Sequence, residues 1–408
     1  MIKNIAWNIG TQLVNNVVPI ILIPFMILNL GADIYGEMIL SLAVWGIPNL
    51  LVQFGFQVTA SKKITQIKDE REQLSSYIIN VYLAKFMLFL FGVLCLILSY
   101  SILKVETGRD YITYTVPFIL GSLLNPSWVY FGTGEFKKLT KLTIVGKMLG
   151  ILIIFFIAKY SSEHMLILTY SSMNLFSSLM LFSGLVSSGI LSAKNSVSLK
   201  NIFFEINEAK SIFLASSSTG VFQQLIPIVL GHYFGPVYVT LLNVCDAIRR
   251  VLYQSTQSIF QVVFQNTNKN TDKIRKEDKN VSLIKVMISI LSLYLFSYVL
   301  IYCIESYVVR YFSDVKYFDY DLIYWVLLSG ITNMLVNAFG IQVLIPLGYN
   351  SSIRNIFVFS SLMSIPIMFL LVTHFNVLGA VCGILVFDSI TLLMLIYKHK
   401  TERIKAIF

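Results

Sequence analysis

The sequence predicts an all-α integral membrane protein of twelve transmembrane helices, and three observations carry that prediction. Hydrophobic residues make up 56% of the 408 positions and charged residues 13%, with a mean hydropathy of +0.75, far from the composition of soluble domains. The charges cluster between apolar runs of about 20 residues, the length that crosses about 30 Å of hydrocarbon as a helix. Those runs are continuous, about twice as long as the alternating strands of a membrane barrel.

In chain order the spans read 4–29, 36–60, 75–103, 111–133, 142–159, 164–191, 209–231, 236–264, 281–305, 318–347, 353–373 and 377–397. The first is too long for a signal peptide and lacks a small-residue cleavage site, so it reads as an uncleaved span. The turn His374 to Asn376 is so short that the last two spans must be antiparallel neighbours. Lys and Arg between the spans set the orientation. Twenty-one lie on the side of Lys3, against five (Lys104, Arg109, Lys159, Arg310 and Lys316) on the other. The positive-inside rule then puts both termini in the cytoplasm.

The net charge of +10 is largely these topology determinants, which meet the anionic inner leaflet. The basic run at 268–279 is a mixed-charge loop without aromatics, so no nucleic-acid partner is expected. Cys95, Cys245, Cys303 and Cys382 are scattered through apolar runs and read as buried free thiols. The four histidines are equally scattered, and neither a metal site nor a cofactor is expected.

An internal repeat is visible. Asn15-Asn16 followed by Pro19 aligns with Gln223-Gln224 followed by Pro227, and Leu30-Gly31 with Tyr35 aligns with Phe234-Gly235 with Tyr238. Each copy opens a six-span half. Six is even, so the halves run parallel, as lobes 1–200 and 201–408 around a central cavity. That is a transporter architecture.

Leu30-Gly31-Ala32-Asp33-Ile34-Tyr35-Gly36 with Ser41-Leu42-Ala43 resembles the LGxxxYG…SLA hairpin of Wzx-type flippases, in the multidrug/oligosaccharidyl-lipid/polysaccharide exporter superfamily. Phe54-Gly55-Phe56 with Ala60-Ser61-Lys62-Lys63-Ile64 resembles that family's second-helix end. Pro126-Ser127-Trp128-Val129-Tyr130-Phe131-Gly132 is similar to its PxWxxQG segment, with Phe131 where the family usually has Gln. The resemblance implies a cargo of undecaprenyl-pyrophosphate-linked oligosaccharide, an O-antigen or similar repeat unit. It would move from the cytoplasmic to the periplasmic leaflet of the bacterial inner membrane. The implied partners are this polyprenyl-linked glycan, membrane lipids, and the polymerase and chain-length regulator of the same pathway.

Such a cargo needs a wet, cationic cavity. Bare ionisable groups at mid-membrane cost about 2.5–3.5 kcal/mol each by insertion scales, so they face a cavity or a partner. In the eighth span Arg249 and Arg250 follow Asp246 by three and four residues, and one carboxylate cannot neutralise both. A guanidinium fork suits phosphate oxygens. Lys85 is deep in the third span and joins them as a candidate anion ligand. Lys147 is another, although its place near the start of the fifth span would let it snorkel to the head groups, as would that of Lys285. Asp246 and Asp388 are the candidate ion-coupling groups; Glu305, at the outer end of its span, reads as solvated.

Asn8, Gln12, Asn15 and Asn16 form one polar stripe, and Gln223, Gln224, Asn333 and Asn337 are further embedded amides that could meet sugars. Gln53 and Gln57 lie in the second span. Pro19 and Pro227 recur at matching positions and are the expected hinges, and Pro126 invites a kink. Trp45 and Trp128 are candidates for sugar stacking. Two other functions compete. A cation-coupled multidrug antiporter of the same superfamily would need mid-membrane carboxylates, which spans one to five essentially lack. A glycan polymerase or acyltransferase would need a sizeable outer loop, and the longest, 306–317, is short. Neither competing reading fits as well, and no enzymatic activity is expected.

Overall fold

The computed structural model describes residues 2–103, 109–159, 162–191, 198–247, 249–250, 320–340, 344 and 349–402. The expected span 281–305, the ends of 236–264 and 318–347, and Cys303, Lys285 and Glu305 lie at least partly outside the described residues. The described elements are all helices: α1 (Ile2–Gln53), α2 (Phe56–Ile67), α3 (Arg71–Leu103), α4 (Val116–Leu124), α5 (Ser127–Thr133) and α6 (Phe136–Ala158). There follow α7 (Glu163–Ser187), α8 (Leu199–Phe234), α9 (236–247, helical again at 249 and 250), α10 (Tyr320–Phe339) and α11 (Asn350–Thr401). The chain forms two compact units, Met1–Gly231 and His232–Phe408.

In the first unit, α1 has 52 residues. Drawn straight it would be about 78 Å long, far more than a bilayer core. It breaks at Gly31, whose φ of 78° suits glycine, and its two arms answer to the first two expected spans. Pro19, Pro24 and Pro48 all remain helical, and Gly31 is the one residue of α1 that leaves helical geometry. Phe54 (φ 35°) and Gly55 (φ 77°) then interrupt the second arm, and α2 continues past the expected end at 60. The expected single span 111–133 is two helices, divided at Asn125-Pro126 where the proline forbids a continuous hydrogen-bond ladder.

α3 and α6 mark the lipid side. Leu90, Phe91, Leu94, Ile97 and Leu98 are exposed along one face of α3, as are Met148, Leu152, Phe155 and Phe156 on α6. Cys95 lies among them and is exposed, correcting the expectation of a buried thiol, whereas Cys245 is buried. The inner face of α3, including Ile78, Val81 and Ala84, packs with Trp128, Val129 and Leu185.

Helices α4, α6 and α7 meet backbone to backbone. A Cβ on Gly121 would lie 2.6 Å from Leu175 N, one on Gly150 would lie 2.8 Å from Met173 Cγ, and one on Gly146 would strike the Ser177 backbone. Small residues make such approach possible where no hydrophobic drive exists between helices. Hydroxyls tie neighbouring helices to this seam, α1 to α6 and α5 to α7. Thr140 Oγ1 donates to Trp7 O at 2.7 Å, and Tyr130 OH to Leu181 O at 2.7 Å.

Three expectations change here. The fifth span begins at Phe136, not 142. The seventh begins at Leu199, not 209, and bends by 59° between Lys200–Leu214 and Ser216–Phe234. Lys200, Glu205, Glu208 and Lys210 make that stretch look like a loop, but Ile202, Ile206, Ala209 and Phe213 form an apolar face packed on the α2–α3 core. Trp45 is no sugar platform: its Nε1 donates to Ile112 O at 2.9 Å and its ring packs with Val52, Ile119 and Leu123.

In the second unit, α11 breaks at Asn376 (φ 48°, ψ −124°), so the two last spans are joined at the turn expected from sequence. Gly235, between α8 and α9, has a φ of 92°, as its repeat partner Gly31 has a positive φ. Met334, Phe339, Ile353 and Leu395 build the core between α10 and α11.

Gly121→Val tests the close seam. Overpacking there should cost about 1–3 kcal/mol and lower the melting temperature of the purified protein in detergent. An unchanged melting temperature would show that the seam gives way.

Candidate functional site

A polar cavity of about 470 Å³ lies inside the first unit. Its wall carries seven amides: Gln12 and Asn15 from the first arm of α1, Asn49 and Gln53 from the second, Gln57 of α2, Asn125 at the α4–α5 break and Asn174 of α7. Thr11, Ser122, Ser127, Thr143 and Ser177 add hydroxyls, and Lys147 adds an ammonium. Among the described residues that line it, none is Asp or Glu. The volume falls within the range of about 300–1,000 Å³ typical of small-ligand sites. A set of amides and hydroxyls with one cation is suited to a neutral polyol that carries negative charge elsewhere.

Of the two readings open for Lys147, cavity or head groups, the structure favours the cavity. Because α6 starts earlier than expected, Lys147 is far from the helix end; it is 4% exposed and donates to Asn15 O at 3.3 Å. The side chain turns inward and belongs to the cavity wall. Lys85 is equally buried and lines an adjoining pocket of about 130 Å³ with Gln53, Gln57, Ser122, Asn125, Ser127 and Trp128. Its ammonium donates to Ser122 O (2.9 Å) and Asn125 O (3.5 Å).

Of the polar stripe on α1, Gln12 and Asn15 reach the cavity, while the side chains of Asn8 and Asn16 lie outside the described residues. Gln223 is exposed, and Gln224 packs where a Cβ on Gly46 would fall. Pro19 and Pro227 both sit inside helices. Asn49, Asn125, Asn174, Ser122 and Ser127 were not singled out. Their signal was faint, since none of them forms a helical stripe of amides; only Pro126 marked the break beside Asn125 and Ser127.

The second unit holds a charge network. Arg249 donates twice to Asp246 Oδ1, from Nη2 at 2.6 Å and Nε at 2.8 Å. Arg250 Nε is 3.4 Å from Asp246 Oδ2, and its side chain is 42% exposed against 14% for Arg249. Asp388 is fully buried; Asn333 Nδ2 donates to its Oδ1 at 3.2 Å, and the charge of Arg249 acts on it. Asn337 Nδ2 donates to Asn333 O at 3.2 Å. Arg249 is thus held by Asp246, and Arg250 is the more available guanidinium.

A lipid-exposed helical unit wrapped around an amide-lined cavity is the architecture of a membrane transporter. The model of the polysaccharide biosynthesis protein family matches residues 1–264, and the chain belongs to that family. A protein of Escherichia coli (strain K12) described as "Putative O-antigen transporter" is 24% identical over 406 residues, covering 98% of this chain and 97% of the relative. One of Shigella dysenteriae with the same description is 23% identical over 275 residues, or 66% and 68% of the two chains. Among solved structures, "Lipid II flippase MurJ, inward closed conformation" aligns with a TM-score of 0.69 at 15% identity, covering 97% of this chain and 87% of that one. The eukaryotic MATE transporter AtDTX14 aligns at 0.59 and 16%, covering 97% and 92%. The flippase-family resemblance carried by the Leu30–Gly36 hairpin and the Pro126–Gly132 segment is thereby supported, and these proteins bear the names of transporters, not of enzymes.

If the cavity holds water, Asn174→Cys should react with a membrane-impermeant, charged thiol reagent, while Phe156→Cys on the lipid face should not, because only a hydrated thiol ionises. Equal labelling of the two would contradict the assignment of inside and outside.

Proposed function

We propose that this protein is a flippase that carries a polyprenyl-pyrophosphate-linked oligosaccharide, an O-antigen or similar repeat unit, across the inner membrane by alternating access. The observation that carries the reading is the carboxylate-free amide cavity with Lys147 in its wall. The descriptions of the two relatives and the fold shared with a lipid II flippase support it. A drug-cation antiporter would place carboxylates where this cavity has amides.

In this reading twelve helices form two parallel six-helix lobes, 1–200 and 201–408, with both termini in the cytoplasm. The pyrophosphate meets Arg250, whose longer contact to Asp246 is the easier to exchange, while Arg249 stays with Asp246. A guanidinium offers phosphate two parallel charge-assisted bonds, and exchanging a carboxylate for a phosphate keeps the charge paired throughout. Lys147 is the cation of the amide cavity in the first unit. Gln12, Asn15 and the other lining amides present both donors and acceptors to sugar hydroxyls, at a depth where unpaired polar groups are costly. Asp388, beside Arg249, is the group through which an ion gradient would act. Pro19 and Pro227, helical here while α1 breaks at Gly31 and α8 bends between Leu214 and Ser216, are the points that flex during exchange, each leaving one carbonyl of its helix without the usual donor. Polymerase and chain-length regulator of the same pathway are the protein partners.

Expression in a strain lacking its own O-antigen exporter tests this directly. Wild-type protein should restore surface glycan, and Arg249→Ala/Arg250→Ala should abolish it at equal protein level in the membrane. Normal export by the double variant would remove the anion site. Pro19→Ala/Pro227→Ala should slow export by about tenfold, as expected if a barrier rises by about 1.4 kcal/mol; unimpaired export would discard the hinges.

A further inference from the structure

The break in the fourth span is a built feature. α4 stops at Leu124 and α5 starts at Ser127, with Asn125 at ψ 114° and Pro126 at ψ 18° between them. A helix that ends inside a membrane leaves its last carbonyls without donors, and hydrocarbon offers none. Here α3 supplies them. Lys85 Nζ donates to Ser122 O and Asn125 O, and Tyr82 OH donates to Leu124 O at 3.1 Å. The two side chains are one helical turn apart, with the ammonium 5.7 Å from the Tyr82 ring centroid. The cation also faces the negative end of the α4 dipole.

On the far side of the break, Asn125 Oδ1 accepts from Ser127 N at 2.8 Å, and Gln57 Oε1 accepts from Ser127 Oγ at 3.1 Å. The amide oxygens are therefore engaged, and no hydrogen bond among the described residues uses Asn125 Nδ2 or Gln57 Nε2. Two further polar atoms at this wall are buried without a partner there, Asn49 Oδ1 and the Nε1 of Trp128, a residue only 2% exposed. Unused donors (Asn125 Nδ2, Gln57 Nε2 and the buried Nε1 of Trp128) and one buried unused acceptor (Asn49 Oδ1) thus lie along the walls of the cavity and its adjoining pocket.

This mixture identifies the ligand class. Phosphate oxygens only accept, and they call for free cations. The cation at the break directs its protons to backbone carbonyls instead. A sugar hydroxyl both donates and accepts, which matches amide N–H groups beside an open carbonyl oxygen. We propose that the break in the fourth span is a saccharide subsite, where a pyranose ring of the cargo sits against Asn49, Gln57, Asn125 and Trp128. Lys85 and Tyr82 are its positioning residues: they hold the break in shape and do not touch the pyrophosphate.

The subsite rests on the flippase reading, and the test separates the two. Purified full-length protein in nanodiscs is titrated with bare undecaprenyl pyrophosphate, and with the lipid-linked repeat unit extracted from cells that lack the exporter. Wild type should bind both, and Arg250→Ala should weaken both. Asn125→Ala and Gln57→Ala should each weaken the glycosylated lipid by about three- to tenfold, the loss of one or two hydrogen bonds, and leave the bare lipid unchanged. Lys85→Met should reproduce that selective loss, while Lys85→Arg retains binding. Should Lys85→Met fold poorly, Tyr82→Phe removes a single hydroxyl from the same clamp and should show the same selectivity in weaker form. Equal loss of both lipids in Lys85→Met would make Lys85 an anion ligand and overturn its positioning role. Unchanged binding of the glycosylated lipid by Asn125→Ala and Gln57→Ala would overturn the subsite. A wild-type protein that binds neither lipid would overturn the flippase reading itself.

Discussion

Hydrocarbon accepts no hydrogen bonds and donates none, so each polar atom placed at membrane depth must find its partner within the protein or in water the protein admits. The first unit obeys this rule in two ways. Most of its buried hydroxyls fold back on their own helices, as Ser41 does on Glu37 O and Thr169 on Met165 O. The amides are instead gathered from α1, α2, α7 and the α4–α5 break around one cavity. The lipid face is left to Leu, Phe, Ile and Met. Polar residues are thus largely satisfied locally or gathered at the cavity, with Asn80 Oδ1, Ser171 Oγ and Ser178 Oγ buried without a partner among the described residues.

That sorting depends on close packing. Gly121 and Gly146 let α4 and α6 approach α7 until their backbones touch, and Gly150 admits the Met173 side chain, which fixes Asn174 and Ser177 of α7 and Lys147 of α6 on one wall. Buried cations then need little help from carboxylates. Lys85 is met by carbonyls at a helix end, Lys147 by one carbonyl of α1 and by the cavity itself. In the second unit the opposite solution holds, with Asp246 shared by two arginines and Asp388 beside one of them.

Hydropathy made the spans legible, and turn chemistry made the reversals legible, because both are written in local sequence. Gly31 and Asn376 fall where the sequence placed turns. Gln12 and Asn15 could be read as cavity residues because they share a helical stripe. Asn49, Asn125 and Asn174 could not, since they come together only after three helices pack. Lys147 was misplaced for a related reason: the polar start of α6, with Lys137, Lys138 and Lys141, looks like loop, so the helix seemed to begin late. The contacts of Lys85 were invisible because its partners are backbone carbonyls, which every residue has and no sequence advertises.

Gly31 and Asn376 also have a practical consequence. Each changes the direction of its helix within a single non-helical residue, and a Cβ on Gly379 would run into Leu371 O just across the second of these turns. Proteases and inserted epitopes need a few residues of pliable chain at a loop tip. Neither turn offers them. Tags, nicking sites and circular permutations of this protein will have to be placed elsewhere, and limited proteolysis of intact vesicles should leave both hairpins whole from whichever face they are approached.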